Sequence, residues 1–328
     1  MTDQVPLRWG EKPYHSLDYA LRQQFGEKIY KLTLSTGCTC PNRDGTLGTG
    51  GCIFCSAGGS GEFAASPALP VARQIAQSKA LLAGKRPVRR YIAYFQSYTN
   101  TYGPVERLEP IFVEAISHPE IAVLSIATRP DCLGEEILDL LERLNRRKPV
   151  WIELGLQTIH ENTAAFIRRG YALSCYEEAV ERLRERGISV ITHVILGLPG
   201  ETLPHMLDTV RYVNRLPVSG IKLQLLHILK NTDLAQFYAR HPFPVFSLEE
   251  YVQTIVACLE ICRPDLVIHR LTGDGPKDLL LAPLWSSSKR HVLNTIHNTL
   301  RLKNTWQSRL WLPDSAPNQT LNGGDSHV

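Results

Sequence analysis

Residues 190–198 read VITHVILGL and are apolar apart from Thr192, His193 and Gly197. A strand that is apolar on both faces is typical of a parallel sheet covered by helices on its outer side. Working outward, five more β-rich runs alternate with helix-like stretches, and this succession predicts a parallel β/α architecture with right-handed crossovers. The predicted strands are 28–35, 90–96, 122–127, 150–156, 188–196 and 220–228, with a seventh possible at 266–269, and the predicted helices are 71–82, 106–117, 135–146, 176–186, 203–216 and 248–262.

The composition is that of an ordinary globular protein. The chain has 328 residues, of which 43% are hydrophobic and 21% charged, and these values exclude extended disorder and collagen-like repeats. No apolar run approaches the roughly 20 residues that a membrane-spanning helix needs. Residues 1–17 are polar and lack the apolar segment of a secretory signal, so we expect a soluble, cytoplasmic protein without a membrane partner. The net charge of +4 permits a polyanionic partner without requiring one.

The repeated strand–helix pattern covers most of the chain and shows no linker long enough to divide it. We expect an α/β fold, a partial parallel (β/α)6 barrel with a C-terminal extension, over residues 27–313. Before it, residues 1–26 are predicted to form a helical lead-in, because Leu17, Leu21 and Phe25 recur at helical spacing. Residues 314–328 are rich in Ser, Asn, Gly and Asp and are predicted to be a disordered tail.

The segments that follow the predicted strands are polar or rich in Gly and Pro. In a parallel barrel these segments meet at one end, which is the end where active sites are built. The pattern therefore predicts a single pocket lined by six loops, at 36–42, 97–102, 128–131, 157–160, 197–201 and 229–232.

Four of the eight cysteines lie in an 18-residue stretch that begins in the first of these loops, at Cys38, Cys40, Cys52 and Cys55. A disulfide scaffold is not expected in a chain of this length without an export signal. From Cys40 the spacing is Cys-x11-Cys-x2-Cys, which suits three thiolates on an iron–sulfur cluster with one open iron. With Cys38 as a fourth ligand, the same loop suits a structural zinc. The position of the loop after the first barrel strand favours the cluster.

The sequence resembles the radical S-adenosylmethionine (SAM) superfamily, and specifically the YhcC/YtqA-type proteins, which are related to the radical domain of the elongator catalytic subunit. The resemblance spans residues 14–307 and rests on seven motifs in order. They are TCPNRD (39–44), GGCIFC (50–55), AYFQSYTNTY (93–102), TRPDC (128–132), ELGLQT (153–158), GLPGE (197–201) and LAPLW (281–285).

The resemblance implies a radical SAM barrel and two cofactors, a 4Fe-4S cluster and SAM. Cys40, Cys52 and Cys55 match the cluster cysteines, and Cys38 is interpreted as a non-ligand. The open iron would chelate SAM, and one electron from a reductant such as flavodoxin or ferredoxin would cleave it to give a 5′-deoxyadenosyl radical. The protein would supply position and the exclusion of water.

The resemblance also suggests which residues contact the adenine and the methionyl amine of SAM. Phe54 matches an aromatic near the adenine, and the alternative is a core aromatic that shields the cluster. The Gly-Gly-Glu common after the second strand is missing, which leaves Gln96 or Ser97 for the amine. The turn containing Gly197 and Pro199 would bring its backbone close to the adenine.

Further polar residues are candidates for SAM contacts. Glu153 and Gln157 share one face of the fourth strand, and Glu153 suits ribose hydroxyls, although a buried Glu paired with an arginine is the alternative. Arg169 would pair with the methionyl carboxylate by a bidentate fork. Arg129 either lines the pocket or simply pairs with Asp131.

Histidines and lysines in or beside the strands give weaker signals. His193, His227 and His269 are more often satisfied core residues than ligands. Lys222 and Lys230 bracket the sixth strand, and Lys230 is expected to be the better pocket candidate because it follows the strand.

The resemblance to the elongator radical domain makes tRNA the leading substrate, with modification of the 5-position side chain of a wobble uridine. Basic clusters within 85–90, 143–148 and 301–303 are interpreted as a weak phosphate-binding face. Trp285, Trp306 and Trp311 would either stack bases or cap the barrel. Two alternatives remain open, namely a zinc-stabilised nucleic-acid-binding protein without catalysis, and a radical SAM enzyme that acts on a small metabolite. No residue is assigned to the hydrogen-abstraction step.

Overall fold

The computed structural model describes residues 6–59, 65–273 and 275–313. Seven strands pair in parallel, in the order in which they occur along the chain, and form an open, curled half-barrel. This confirms the predicted partial parallel β/α barrel, including its seventh strand. The strands are β1 (Tyr30–Leu34), β2 (Tyr91–Phe95), β3 (Ile121–Thr128), β4 (Val150–Gln157), β5 (Ser189–Leu196), β6 (Gly220–Leu225) and β8 (Val267–Arg270).

The predicted sixth strand, 220–228, is interrupted. The chain leaves the sheet at Leu226 and His227, and the next two residues form β7 (Ile228–Leu229), which pairs with β9 (Leu280–Ala282) in a separate antiparallel ribbon. The apolar pattern is continuous across this break because β7 is also buried. A buried residue therefore looks the same in sequence whether it continues a strand or begins the next one.

Helices follow the strands and cover the outer face of the sheet. The six predicted helices are all present, with ends shifted by up to three residues. Three others were not predicted: α5 has only six residues, and α8 and α10 carry polar residues through much of their length. The helices are α1 (Leu17–Phe25), α2 (Val71–Ala80), α3 (Val105–Ser117), α4 (Glu135–Asn145), α5 (Glu161–Phe166), α6 (Leu173–Glu185), α7 (Leu203–Arg215), α8 (Asp233–Arg240), α9 (Leu248–Ile261) and α10 (Lys289–Leu302).

Alternate side chains of each strand point to opposite faces of the sheet and pack in different hydrophobic clusters. Ala93 and Phe95 of β2 face outward into the large core between sheet and helices. Ile92 and Tyr94 face inward and pack in a smaller cluster with Leu21 of α1. The helix α1 therefore closes the end of the half-barrel at which the strands begin, which leaves the opposite end open for a site.

Among the described residues, none of the helices has the length and apolar character needed to cross a lipid bilayer. The predicted tail at 314–328 lies outside the described residues.

Candidate functional site

A cavity opens at the carboxyl ends of the parallel strands, where the sequence places the polar loops. Its wall combines residues of the loop that carries Cys40, Cys52 and Cys55, which we call the cysteine loop, with inward-facing residues of β2 to β6 and of β8. Of the residues expected to bind SAM, seven line this cavity: Phe54, Gln96, Ser97, Arg129, Glu153, Gln157 and Arg169.

The three cysteines of the Cys-x11-Cys-x2-Cys motif reach the same cavity. Cys40, Cys52 and Cys55 all line it. Burial, followed by the negative charges of Cys55 and Cys40, raises the pKa of Cys52 to about 12. Cysteines bind a metal as thiolates, so binding of a cluster at this position would release the proton of Cys52.

The three cysteines of this loop have the donor chemistry that iron–sulfur clusters use. In the described part of the chain, no group of three or more His, Cys, Asp or Glu side chains is arranged to hold one metal ion. A cubane holds its thiolates on separate corners, so they need to share a cavity without converging on one point. Cys38, the fourth zinc ligand in the alternative interpretation, is only 6% exposed and packs in the main core. These observations fit an iron–sulfur cluster on Cys40, Cys52 and Cys55.

Side chains within the cysteine loop hold it in its folded form. The guanidinium of Arg43 donates to the carbonyl oxygens of Cys55 at 3.0 Å and Ser56 at 2.6 Å, and it lies 5.3 Å from the centre of the Tyr98 ring. Gly51 has φ +74°, and a Cβ at this position would lie 2.9 Å from Arg43 Nε. The glycine therefore lets the loop fold back over the arginine.

Asn42 links the cysteine loop to the opposite wall of the cavity. Its Nδ2 donates to the carbonyl oxygen of Arg168 at 2.7 Å and lies 3.5 Å from the sulfur of Cys52. Gly170, at φ +80°, leaves room for this contact, since a Cβ there would lie 2.7 Å from Asn42 Oδ1. Hydrogen bonds to cluster sulfurs tune the properties of iron–sulfur centres. Sequence reasoning assigned Asn42 no role, although it lies inside the quoted TCPNRD motif.

The two predicted arginines of the pocket are largely occupied by protein partners. Arg129 makes a bidentate pair with Asp131, at 2.9 and 2.7 Å, and donates to the carbonyl oxygen of Arg169 at 3.0 Å. Arg169 is 1% exposed and donates to the carbonyl oxygens of Thr158 and Tyr171 and to Glu161. Both guanidiniums thus mainly fix the loops that surround the cavity.

Gln157 and Thr99 present polar atoms to the same cavity. Within the described part of the chain, the Oε1 of Gln157 and the Oγ1 of Thr99 are buried without a hydrogen-bond partner, and both residues line the cavity wall. Buried polar atoms normally have partners. These two therefore indicate that the cavity receives a polar ligand such as SAM.

Glu153 lies deeper, in a layer of inward-facing residues to which six strands contribute. Its Oε1 accepts from Lys31 at 2.5 Å and from Ser125 at 2.9 Å, and its Oε2 accepts from Lys222 and contacts His193 at 2.9 Å. We call this set, with Tyr94, the Glu153 layer. A carboxylate has about four acceptor positions, so none is left for a ribose hydroxyl. The buried pair anticipated from sequence exists, but its partners are lysines and a histidine rather than an arginine.

The electrostatics of the Glu153 layer are set by burial and by an excess of positive charge. Burial alone would raise the pKa of Glu153, but Lys222, Lys31 and His193 outweigh it and hold that pKa well below its ordinary value. Burial, assisted by Lys222, lowers the pKa of His193 to about 4. Glu153 is therefore ionised and His193 neutral near neutral pH.

Two expected SAM-binding residues lie away from this cavity. Gly197 has φ +85°, and a Cβ there would come within 2.9 Å of the Phe246 ring, so the glycine accommodates an aromatic side chain. Pro199 lines a second pocket with His160 and Glu201, because the chain turns outward where β5 ends at Leu196. Phe54 lines the main cavity and also packs against an apolar cluster that includes Ile195.

The lysine that lines the cavity is Lys222, and not Lys230 as the sequence predicted. Lys222 is 3% exposed and lines the cavity, whereas Lys230 is exposed and donates to the carbonyl oxygen of Asp278 at 2.9 Å. His193 and His227 also line the cavity. The available signal was a charged residue inside the mostly apolar strand β6, because lysine is almost never fully buried unless it is paired.

Two of the three basic clusters are not next to the cavity. Residues 85–90 and 143–148 immediately precede β2 and β4, at the end of the barrel opposite to the cysteines. Several are paired with acids, as in Arg90 with Glu27 at 2.8 Å and Arg143 with Glu109 at 2.9 Å. Trp306 is 6% exposed. These groups are not arranged as a phosphate-binding face around the pocket.

Comparisons with known proteins agree with this geometry. Residues 35–213 match the family described as the radical SAM superfamily, and residues 218–301 match the radical SAM C-terminal domain. The sequence is 44% identical to the uncharacterized protein YtqA of Bacillus subtilis, over 92% of this chain and 94% of that protein. It is 37% identical to the protein YhcC of Escherichia coli, over 89% of this chain and 95% of that protein.

More distant similarities cover part of the chain. A tRNA uridine(34) acetyltransferase of Methanocaldococcus jannaschii is 24% identical over 51% of this chain and 31% of that protein. The solved structure of the archaeal Methanocaldococcus infernus Elp3 superimposes with a TM-score of 0.63 at 16% identity, over 74% of this chain and 62% of that chain. The structural likeness concerns the fold.

Proposed function

This chain belongs to the radical SAM superfamily, and from that premise we propose that it modifies the 5-position side chain of a tRNA wobble uridine. Its cofactors are a 4Fe-4S cluster and SAM. When bound, they supply a hydrogen-abstracting radical through one-electron chemistry that amino-acid side chains cannot perform. The protein's own contribution is to hold the cofactors and substrate in one cavity and to exclude water from it.

One observation carries the radical chemistry in this proposal: Cys40, Cys52 and Cys55 line a single cavity at the carboxyl ends of the parallel strands. We assign these three residues as the cluster ligands. Asn42 and Arg43 hold the loop that carries them, and Gln157 and Thr99 offer to SAM the polar atoms that have no partner among the described residues.

The choice of substrate rests on the partial similarity to a tRNA uridine(34) acetyltransferase. The cavity offers aromatic faces at Phe54 and Tyr98, and unpaired RNA bases are commonly bound by stacking on aromatic side chains. The two basic clusters at the opposite end of the barrel give the proposal no support. The RNA contacts would therefore have to lie near the cavity mouth.

The test is to incubate anaerobically reconstituted, reduced enzyme with SAM and bulk tRNA from a strain that lacks the protein. We expect 5′-deoxyadenosine to form together with a mass change at a uridine nucleoside, both measured by liquid chromatography and mass spectrometry. Formation of 5′-deoxyadenosine with unchanged nucleosides would overturn the tRNA assignment and leave the enzyme class intact.

Two cysteine variants test the ligand assignment in the same assay. Cys52→Ala is expected to lose the cluster and all 5′-deoxyadenosine formation, because one of three thiolate ligands is removed. Cys38→Ala is the matched control and is expected to keep wild-type iron and sulfide. Full iron in Cys52→Ala, or loss of the cluster in Cys38→Ala, would mean that the ligand set is wrong.

A further inference from the structure

His193 faces the cavity from β5 with one of its two ring nitrogens already engaged. It lines the cavity wall, and 15% of its side chain is exposed. Its Nε2 lies 2.9 Å from Oε2 of Glu153, which is ionised near neutral pH. A carboxylate can only accept hydrogen bonds, so Nε2 must carry the ring proton and donate it. The contact with Glu153 therefore fixes the tautomer of the imidazole.

The second ring nitrogen of His193, Nδ1, is a hydrogen-bond acceptor that is open to the cavity. Burial, followed by the charge of Lys222, lowers the pKa of His193 to about 4, so the ring is neutral and Nδ1 carries no proton. Among the described residues, Nδ1 has no hydrogen-bond partner. In contrast to Nδ1 of His269, it is not one of the unpartnered atoms that are sealed off by burial. A ligand in the cavity can therefore reach it.

Gln224 offers a second polar group on the neighbouring strand β6. In the parallel pairing of β5 and β6, His193 lies opposite Lys222, two residues before Gln224. Gln224 is half-buried and lines the cavity, and its side-chain amide has no hydrogen-bond partner within the described part of the chain. An amide can both donate and accept, whereas Nδ1 of His193 can only accept. The inner face of the two strands thus presents an acceptor and, one layer of side chains away, a donor.

These two groups suit one pyrimidine base and not the other. Uracil carries an N3–H donor beside its O4 acceptor, so it can donate to Nδ1 of His193 and accept from Nε2 of Gln224. Cytosine has an unprotonated N3 beside an amino group, so it would set two lone pairs and two donors against each other. A site whose polar groups are left unpaired rejects the wrong ligand strongly. Phe54 and Tyr98 line the same cavity and give faces on which a base can stack.

We propose that His193 and Gln224 read the base of the substrate: Nδ1 of His193 accepts from N3–H of uracil, and the amide of Gln224 donates to O4. The inference rests on the proposed function, because it names the residues that select the base to be modified. The target uridine must leave its stack to enter the cavity, as is usual for enzymes that act on a base. The 5-position is not one of the atoms that are read, so it stays free for the reaction.

The test measures the binding of two tRNA anticodon stem-loops that differ only at the wobble position, which is uridine in one and cytidine in the other. Reconstituted, unreduced enzyme saturated with SAM is titrated with each stem-loop, and binding is followed by fluorescence anisotropy. We expect the wild type to bind the uridine stem-loop about tenfold or more tightly, because a pair of well-formed hydrogen bonds discriminates between bases by this much. Equal affinities for the two stem-loops would overturn the proposal.

Two variants assign the preference to these residues. His193→Phe removes the acceptor and should lose most of the preference for uridine. Gln224→Glu replaces the donating amide with a carboxylate that accepts from the amino group of cytosine, so the preference should be lost or reversed. A wild-type preference in Gln224→Glu would overturn the proposal, and this holds even if His193→Phe folds poorly.

The matched control is Gln236→Glu, at an exposed position of α8, which introduces the same charge outside the cavity wall. It should keep the wild-type preference for the uridine stem-loop. An equal loss of preference in Gln236→Glu and Gln224→Glu would attribute the effect to charge alone and overturn the proposal.

The two proposals fail separately. Stem-loop binding is measured without reductant, so it does not depend on SAM cleavage. A uridine preference that depends on Gln224, with no nucleoside change in the reduced assay, would leave the base-reading site standing and remove the proposed function. A modified uridine nucleoside without any preference between the stem-loops would do the reverse. Failure to bind either stem-loop, with no modified nucleoside, would remove both.

Discussion

Glu153 is a single carboxylate on which residues from four other strands converge. Its partners Lys31 and Lys222 are 122 and 69 residues away in sequence. Such a buried ion pair adds little stability compared with a well-packed apolar alternative, but removing one partner leaves a buried charge uncompensated. The stability of the inner face of the sheet therefore depends on the charge of Glu153.

Glu153→Gln tests this dependence. The neutral amide leaves Lys31 and Lys222 facing each other without a counter-ion, and we expect the free energy of unfolding to fall by about 3 to 5 kcal/mol. The measurement is urea unfolding followed by circular dichroism.

The matched control is Glu109→Gln, which breaks an exposed pair with Arg143. Its cost should be below about 1 kcal/mol, because water screens exposed pairs. Equal losses in the two variants would show that burial of the Glu153 layer has no special energetic role.

The contrast between cysteines and charges shows what sequence reveals at the level of residues. Cys40, Cys52 and Cys55 could be predicted as neighbours because their spacing is local, and the structure brings all three to one cavity. The sequence could not show that Glu153, Arg129 and Arg169 are already bonded to other protein groups, because those partners are brought together by the fold. A residue type suggests a possible contact, and only the structure shows whether that contact is already made.

At the level of elements, periodicity predicted the strands and most helices because both faces of the parallel strands are buried. It did not predict the loop geometry, which depends on single contacts. Gly170 is the clearest case, since its positive φ and missing Cβ allow Asn42 to bridge from the cysteine loop to the segment before α6.

Gly170→Ala should therefore weaken the cluster site more than it weakens the fold. We expect the alanine to displace Asn42 and to lower the affinity for the cluster about tenfold, as is common when a contact behind a metal ligand is lost. The measurement is iron and sulfide content after reconstitution under limiting iron.

Gly187→Ala provides the matched comparison. Gly187 has φ +65°, and a Cβ added there would meet no atom of the described residues within 4 Å. Only backbone strain of about 1 to 2 kcal/mol is therefore expected. Equal loss of iron in both variants would indicate strain, rather than the Asn42 contact, as the cause.

At the scale of the whole molecule, the position of the basic clusters could not be read from composition. The clusters within 85–90 and 143–148 each precede a strand, and the beginnings of parallel strands lie opposite to the pocket. The same end is closed by α1, and there Gln307 contacts the backbone of Pro13 and His15. The end at which the three cysteines lie is therefore distinct from the end at which these segments join.

Gln307 joins the segments at this closed end and provides the test of that separation. It is fully buried, its Oε1 accepts from the backbone N–H of His15 at 2.8 Å, and its Nε2 donates to the carbonyl oxygens of Arg263 and Leu266. Gln307→Ala removes these three buried hydrogen bonds, and we expect a loss of about 3 kcal/mol in unfolding free energy. Iron content after reconstitution should stay at the wild-type level, because the cysteines lie at the other end.

The control is Gln236→Ala, at an exposed position of α8, which should change neither the unfolding free energy nor the iron content. A loss of iron in Gln307→Ala at a temperature where it remains folded would show that the two ends are coupled.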